Sequence, residues 1–205
     1  MFSLNKLSPS ITDMIRFDHS HVNVTFHQYV TTKKTTVKKA LAETICDALE
    51  IHATLEEEIF YPNLRSLNSA DATLLKAPAE HDEMRRVIGE LRATSPDDLR
   101  YDGLVHELMC DVMHHAADEE TKLLPMAERL ISAERLNELG GQMTRRRLQL
   151  LKPKVGKIAA NTAVGFSGST TAIVVGLASA MMAARFFGKK SGAPSVSGQR
   201  DHKHA

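Results

Sequence analysis

The sequence predicts an all-α protein, in which an antiparallel four-helix bundle is followed by an extra C-terminal segment that is partly helical and partly apolar. Up to about residue 130, apolar residues recur three and four positions apart, and the alternation typical of strands is missing. Four such amphipathic stretches of roughly 20 to 30 residues, joined by modest connections, are typical of an antiparallel bundle. A chain of 205 residues accommodates one such domain and an appendage.

The four helices are predicted from their apolar stripes and from the turn-forming residues between them. The third is expected to follow Pro78, because proline is favoured in the first turn of a helix. The first helix is predicted to begin between residues 8 and 12 and to end near residue 30, and the second to run from about 37 to 61. The third is predicted to run from Pro78 to about 91, and the fourth from 97 to about 124.

The predicted domain organisation has four parts. Residues 1–131 form the bundle, and residues 132–157 form a basic connecting helix with Ser132 as its N-cap. Residues 158–187 are an apolar segment rich in Ala and Gly, and residues 188–205 are a polar tail whose composition predicts disorder.

The apolar segment leaves three alternatives open. Its uncharged part, 158–184, exceeds the length of about 20 residues that a bilayer-spanning helix needs. Polar residues dilute the first half, however, and the strongly apolar remainder, 172–184, is short for a span. The segment is therefore a membrane-associated or membrane-spanning helix, a helix for packing or for homo-oligomer formation, or a disordered stretch.

Charge and cysteine content exclude several classes of protein. The 26 basic and 25 acidic residues nearly balance, so no nucleic-acid partner is predicted. Cys46 and Cys110 are too few for a disulfide framework and indicate reduced thiols in a reducing compartment. The first ten residues lack the pattern of a secretory signal. We expect a cytoplasmic protein, membrane-associated only if the C-terminal segment binds a bilayer.

An internal repeat carries the chemistry. Both His52 and His115 begin the pattern H-x3-E-E-x4-P, and each copy is preceded by an acidic residue followed by histidine, at His19 and His81. Each half is thus an acidic-His pair on one helix and H-x3-E on the next. Agreement at this many positions predicts two helix pairs related by an approximate two-fold axis.

The spacing within the repeat predicts a buried metal site. Residues four apart lie on the same helix face, so H-x3-E directs an imidazole and a carboxylate the same way, and all four histidines fall in apolar stripes. Burial of two unpaired carboxylates costs several kcal/mol each unless cations neutralise them. Imidazole and carboxylate together suit iron or manganese and also accept zinc. The candidate ligands are His19, His52, Glu56, His81, His115 and Glu119.

A simpler interpretation exists for each motif taken alone. A single inward histidine is more often a hydrogen-bonded core residue than a ligand, and one H-x3-E is often a surface pair. The duplication favours the metal. Glu57, Glu58 and Glu120 are predicted to be solvated or to support the ligands, rather than to bridge metals.

The segments DHSHVNVTFHQY, HATLEEEIFYP, EHDEMRRVIGEL and HHAADEETKLLP resemble the hemerythrin family, in its HHE cation-binding branch. The resemblance covers about residues 8–130 and implies a four-helix bundle around a non-haem di-iron centre. It implies that His19 and His52 bind one iron and that His81 and His115 bind the other. The two carboxylates of the repeat would then bridge the irons.

One departure from the family pattern bears on activity. Oxygen-carrying hemerythrins have H-x3-H on the third helix, whereas His81 is followed at that spacing by Arg85. Fewer histidines imply more open coordination positions, with Arg85 paired to a carboxylate or the vacancy filled by water or a Glu. The resemblance thus implies a protein that binds or processes dioxygen, peroxide or nitric oxide, with catalase-like activity as one hypothesis. A sensor or binding protein without turnover is the second hypothesis, and a metal-stabilised helical adaptor is the third. No catalytic residue beyond the ligands is predicted.

Overall fold

The structure is a computed structural model that describes residues 9–68 and 70–166, and within those ranges it contains helices and no strand. Two π-helical turns, Glu56–Phe60 and Glu119–Leu123, and one 3-10 turn, Lys152–Lys154, interrupt the α-helices without breaking the chain direction. The α-helices are α1 (Ile11–Thr31), α2 (Thr35–Leu55), α3 (Tyr61–Arg65), α4 (Ala72–Ala93), α5 (Tyr101–Asp118), α6 (Leu124–Leu130), α7 (Ala133–Leu151) and α8 (Val155–Gly165).

Four long helical rods form the bundle, which confirms the predicted fold class. The rods are α1, α2 with α3, α4, and α5 with α6. Sequential rods pack against each other, α1 on α2 and α4 on α5, and further contacts join α2 to α4 and α1 to α5. Short connections between neighbouring rods make them antiparallel.

Side-chain caps fix where three of the helices begin. The Ser10 side chain accepts a hydrogen bond from the backbone N–H of Asp13 at the start of α1. Ser132 caps α7 in the same way, as the sequence predicts. Asp71 caps α4, and its carboxylate accepts from the first backbone N–H groups of that helix.

The predicted start of the third helix is wrong, because Pro78 lies inside α4 rather than in its first turn. The Asp71 cap starts the helix six residues earlier, and Leu74 and Ala77 in the added stretch are buried. Apolar burial and the cap together outweigh the backbone hydrogen bond that proline cannot donate.

Helix α7 is part of the hydrophobic core. Leu136, Leu139 and Met143 on its inner face are buried with residues of α1, α3 and α6. At Gly140 a Cβ atom would overlap the carbonyl oxygen of Pro9, so only glycine permits this close approach to the start of α1. The predicted basic connecting helix therefore packs against the bundle, mainly along α1 and α2.

Helix α8 follows α7 and packs along α2. It contains the first residues of the predicted apolar segment, 158–165, and Gly165 lies against the side chain of Leu41. Residues 167–187 of that segment and the predicted tail 188–205 lie outside the described residues. Among the helices that the structure describes, none combines the length and apolarity that crossing a bilayer requires.

Candidate metal centre

The structure brings all six candidate ligands together in the bundle interior. They come from both halves of the repeat, and every one is buried, with Glu56 fully inaccessible to solvent. The set comprises His19 on α1, His52 on α2, Glu56 in the first π-helical turn, His81 on α4, His115 on α5 and Glu119 in the second π-helical turn.

The four imidazoles form two pairs. The ring centroids of His19 and His52 lie 4.9 Å apart. Those of His81 and His115 lie 4.7 Å apart, and their Nε2 atoms approach to 3.1 Å. Each pair takes one histidine from each of two neighbouring rods, as expected for two related helix pairs. We name them the first pair (His19, His52) and the second pair (His81, His115).

The two carboxylates lie between the pairs. Glu56 Oε2 is 3.2 Å from His52 Nε2 and 3.4 Å from His81 Nε2. Glu119 Oε2 is 3.3 Å from Nε2 of His19 and 3.6 Å from Nε2 of His115. Each carboxylate therefore faces one imidazole of each pair, which is the position that a shared ligand would occupy.

Every one of the four imidazoles also has a carboxylate at its outer nitrogen, Nδ1. A carboxylate at Nδ1 holds the ring in one orientation and one tautomer, leaving the inner nitrogen free to act as a ligand. The Nδ1-to-oxygen distances are 2.9 Å for His19 and Glu120, 3.4 Å for His52 and Asp18, 2.8 Å for His81 and Glu57, and 2.8 Å for His115 and Glu80.

These outer carboxylates are themselves part of the repeat. Asp18 and Glu80 directly precede a histidine of the set, and Glu57 and Glu120 directly follow a glutamate of the set. Glu57 and Glu120 thus have the supporting role that the sequence left open. Glu58 instead forms an ion pair with a residue of α7 on the surface.

Basic side chains hold three of the outer carboxylates. Arg147 of α7 pairs with Asp18, and Lys76 of α4 pairs with Glu80. Arg85 donates to both oxygens of Glu57, at 2.8 and 2.7 Å. Arg85 therefore pairs with a carboxylate that supports His81, which is one of the alternatives that the sequence left open.

The π-helical turns position the two glutamates, and the sequence analysis missed them. Each turn begins at a glutamate of the set and is closed by a backbone hydrogen bond from the residue five positions later. Tyr61 N–H donates to Glu56 O, and Leu124 N–H donates to Glu119 O. A proline follows each turn and can neither donate the next bond nor fit against the carbonyl four residues back, so a wider turn relieves the conflict. The proline that ends each H-x3-E-E-x4-P motif was the sequence signal from which these turns could have been predicted.

Tyr61 is a further member of the site that the sequence analysis missed. Its buried hydroxyl lies 2.9 Å from Glu119 Oε1, 3.2 Å from Glu56 Oε2 and 3.4 Å from His81 Nε2. The corresponding position of the second repeat is Leu124, so comparison of the two copies gives no signal for this hydroxyl.

The electrostatics of the site favour positive charge. Burial alone would lower the pKa of His115, but the Glu56 carboxylate 3.9 Å from its Nε2, the hydrogen bond with Glu80 and the charge of Glu119 raise that pKa to about 10. Burial, together with the carboxylates of Glu56 and Glu119, raises the pKa of the Tyr61 hydroxyl well above its usual value. The carboxylates thus stabilise cations in their neighbourhood.

The donor atoms fit metal ions. His19 Nε2, His52 Nε2, Glu56 Oε1 and Glu119 Oε2 are buried without a hydrogen-bond partner, and such atoms cost about 1–3 kcal/mol each when unsatisfied. Among the described residues, two groups made entirely of buried side chains have ligand atoms within 4.8 Å of one another, and they share Glu56. One group contains His19, His52, Glu56 and Glu119, and the other contains Glu56, His81 and His115.

A small cavity of about 10 Å³ adjoins the imidazoles. Its other walls are mainly apolar, and they include Leu49, Met84 and Val112. A larger cleft of about 340 Å³ opens on the surface, and both spaces are lined by Glu50 and Arg85. The inner cavity therefore has room for about one water-sized molecule.

Comparisons with known proteins agree with this geometry. Residues 10–127, more than half of the chain, match the Hemerythrin HHE cation binding domain. The crystal structure of a hemerythrin HHE cation-binding-domain-containing protein from Mycobacterium kansasii superposes with a TM-score of 0.61, covering 74% of this chain and 93% of that one at 20% identity. A DNA nickase from Nostoc sp. is 29% identical over 134 residues, which are 65% of this chain and 38% of that protein. The chain spans less than two fifths of the length of this relative.

Proposed function

The chain belongs to the hemerythrin HHE cation-binding family, and from this premise we propose that it holds two iron ions and reacts with dioxygen, peroxide or nitric oxide. The observation that carries the proposal is the placement of Glu56 and Glu119. Each carboxylate faces one imidazole of the first pair and one of the second. A cation at the first pair, bound by both carboxylates, would satisfy the four unpartnered buried atoms at once, and a second cation would share Glu56 with the second pair.

The first pair would hold one iron and the second pair the other, with Glu56 and Glu119 shared between them. The donor set is nitrogen and oxygen without sulfur, which suits iron or manganese and also admits zinc. Bound iron would supply the redox chemistry and coordination positions open to a small ligand.

The protein residues would bind the iron ions, orient the imidazole rings and enclose the cavity beside them. The outer carboxylates fix the imidazole rings through Nδ1, and the Tyr61 hydroxyl holds Glu119 through a 2.9 Å hydrogen bond. Leu49, Met84 and Val112 provide an apolar wall for the cavity beside the imidazoles. A cavity of about 10 Å³ favours a ligand of one or two non-hydrogen atoms over a larger substrate.

The first test is the metal content of protein purified under iron-replete conditions. We expect about two iron ions per chain and the near-ultraviolet absorption of an oxo-bridged iron pair, to which zinc would be silent. His52→Ala and Glu119→Ala should lower both the iron content and the thermal stability of the loaded protein.

His114→Ala is a matched control, since His114 precedes His115 on α5 but its side chain is 72% exposed. The control should retain its iron. Fewer than two metals per chain in the wild-type protein would refute the two-iron proposal.

A second test separates turnover from binding. Iron-loaded protein is mixed with an excess of hydrogen peroxide, and the oxygen released is measured with an electrode. A catalase-like enzyme releases oxygen over many turnovers, whereas a sensor or binding protein responds once and stoichiometrically. The second outcome is the alternative function. The ion pair between Arg147 of α7 and Asp18 favours it, because this contact links a helix that follows the bundle to the first pair.

A further inference from the structure

We propose that Arg147 is a positioning residue for His52, acting through Asp18, and that α7 is thereby coupled to metal occupancy of the first pair. This inference rests on the proposed function. It adds a residue beyond the matched range 10–127 to the metal centre and gives the C-terminal helices a route by which they respond to the metal.

The contacts form a continuous chain from α7 to the centre. Arg147 donates to both oxygens of Asp18, at 2.6 and 2.5 Å. The same Oδ2 atom that accepts the shorter bond faces His52 Nδ1 at 3.4 Å. Nε2 of that imidazole is one of the unpartnered atoms directed at the centre.

Arg147 is the main determinant of where the Asp18 carboxylate lies. Two short charge-assisted bonds in a planar fork fix a carboxylate more strongly than one imidazole contact at 3.4 Å. Side-chain exposure is 20% for Arg147 and 13% for Asp18, so solvent does little to screen the pair. Without the guanidinium, the carboxylate would turn toward water, and His52 would lose the acceptor that sets its ring.

The other supporting carboxylates do not depend on α7. Glu57 is held by Arg85 and Glu80 by Lys76, and both cations lie on α4 within the bundle. Only for Asp18, among these three, does the holding cation come from the helices that follow the bundle. Any movement of α7 would therefore act on the first pair selectively.

Coupling of this kind is reciprocal. If docking of α7 strengthens metal binding at the first pair, metal binding must strengthen the docking of α7 by the same factor. Changes in outer carboxylates and their partners typically alter metal affinity about 10–100-fold. We expect about a 10-fold effect, since Asp18 itself remains.

The neighbouring residue provides a matched control. Arg146 also donates to both oxygens of Glu58, at 2.6 and 2.7 Å, through Nε and one terminal nitrogen, whereas Arg147 uses both terminal nitrogens. Glu58 contacts none of the candidate ligands through a described hydrogen bond. Arg146→Ala thus removes an ion pair between α7 and the bundle but leaves the chain of contacts to His52 intact.

The experiment is a cobalt(II) titration of metal-free full-length wild type, Arg147→Ala, Arg147→Lys and Arg146→Ala, followed by visible absorption in competition with a chelator. We expect two equivalents in the wild type, with one of them bound about 10-fold more weakly in Arg147→Ala. Arg147→Lys should restore part of the loss, and Arg146→Ala should bind like the wild type. In the zinc-loaded proteins, ¹⁵N spectra of the histidines should show a shifted His52 Nδ1 only in the Arg147 variants.

The outcomes separate the two proposals. Wild type that binds two cobalt ions while Arg147→Ala binds equally well overturns the role of Arg147 and leaves the metal centre standing. Equal weakening by Arg146→Ala overturns it as well, because the effect would then be general loss of α7 packing. Wild type that binds no cobalt overturns both. If Arg147→Ala does not fold, an unchanged affinity and His52 signal in Arg147→Lys would count against the proposal.

Discussion

The two helix pairs of the repeat share their ligands but differ in what surrounds them. Both contribute an imidazole pair, a shared carboxylate and two outer carboxylates, at corresponding positions of the sequence. The pair α1 and α2 is covered by α7 and α8, whereas α4 and α5 carry their own surface ion pairs, including those of Arg86. The duplication therefore preserved the chemistry and left the supporting contacts to diverge.

The basic residues of the C-terminal region account for this asymmetry. Arg146 and Arg147 pair with carboxylates of the first half, and Lys154 and Lys157 pair with Asp47 of α2. A basic run that could suggest an external anionic partner is thus largely matched by acidic residues of the same chain. The two halves therefore differ in which helices supply the cations that pair with their carboxylates.

The largest effect is expected where the halves meet. Glu56→Gln should release both metals, with affinity falling by more than about 100-fold, because Glu56 faces imidazoles of both pairs and an amide carries no charge. The metal-free protein should keep its fold, since a neutral amide is less costly to bury than a carboxylate. Metal titration and circular dichroism measure the two effects.

Glu58→Gln is the control for that change, because Glu58 lies two residues further along and pairs on the surface with Arg146. It should retain both metals. If Glu56→Gln lost only one metal, the carboxylate would belong to one half and the halves would be independent.

Tyr61 is a central group whose corresponding position in the second copy of the repeat, Leu124, has no hydroxyl, so its removal sharpens the comparison. Tyr61→Phe leaves Glu119 Oε1 without its 2.9 Å donor and should reduce the free energy of unfolding of the metal-free protein by about 2–3 kcal/mol. Urea unfolding measures the change. Leu124→Met, at the corresponding position of the second copy, should cost less than about 1.5 kcal/mol. Equal losses would mean that packing rather than the hydroxyl matters.

Asp47 tests how firmly the C-terminal helices are attached to the first half. This buried carboxylate on α2 faces Lys154, Lys157 of α8 and Arg92 of α4. Glu50 and Glu43 pair with the same two lysines. Burial would raise its pKa, but the hydrogen bonds and charges of the two lysines lower it below the usual range. A carboxylate whose folded-state pKa is depressed contributes stability above its unfolded pKa of about 3.9, and this is lost as the pH falls through the folded value.

Asp47→Asn should therefore cost about 2 kcal/mol at pH 7, and the difference from wild type should shrink below about pH 4. Urea unfolding at several pH values gives both numbers. Asp97→Asn, in the exposed connection between α4 and α5, should cost less than about 0.5 kcal/mol at every pH. A difference for Asp47→Asn that stayed constant into acid would exclude an electrostatic origin.

Periodicity and duplication were sufficient to predict the bundle and the six converging side chains. The fold class and the Ser132 cap are confirmed, because apolar spacing and capping are local properties of the sequence. Pro78 misled the prediction of the third helix, since a local preference for the first turn was overridden by the Asp71 cap and by burial upstream.

What the sequence could not reveal depends on contacts between distant residues. No spacing rule connects Arg147 with Asp18, and the tyrosine at the centre has no counterpart in the second copy. The π-helical turns follow from a conflict between proline and the helix, whose resolution depends on where the buried glutamates must point.

The smallest predicted effect contrasts two adjacent arginines of the second half. Arg85 holds Glu57, which supports His81. Arg85→Ala should therefore lower the affinity for one of the two metal ions about 10-fold, or about 1.4 kcal/mol. Arg86 pairs only with exposed glutamates among the described contacts, and such pairs contribute about 0–1 kcal/mol, so Arg86→Ala should bind both metals like wild type. Cobalt titration and ¹⁵N histidine spectra compare the variants.

The location of the change decides what this contrast means. A shifted His81 signal in Arg85→Ala and a shifted His52 signal in Arg147→Ala would show that the two halves are supported separately, one from within the bundle and one from α7. Their effects should then be additive in the double variant, because the two arginines share no hydrogen-bond partner. If either substitution disturbed both histidine pairs equally, the supports would act as one network, and the divergence of the two halves would carry no functional consequence.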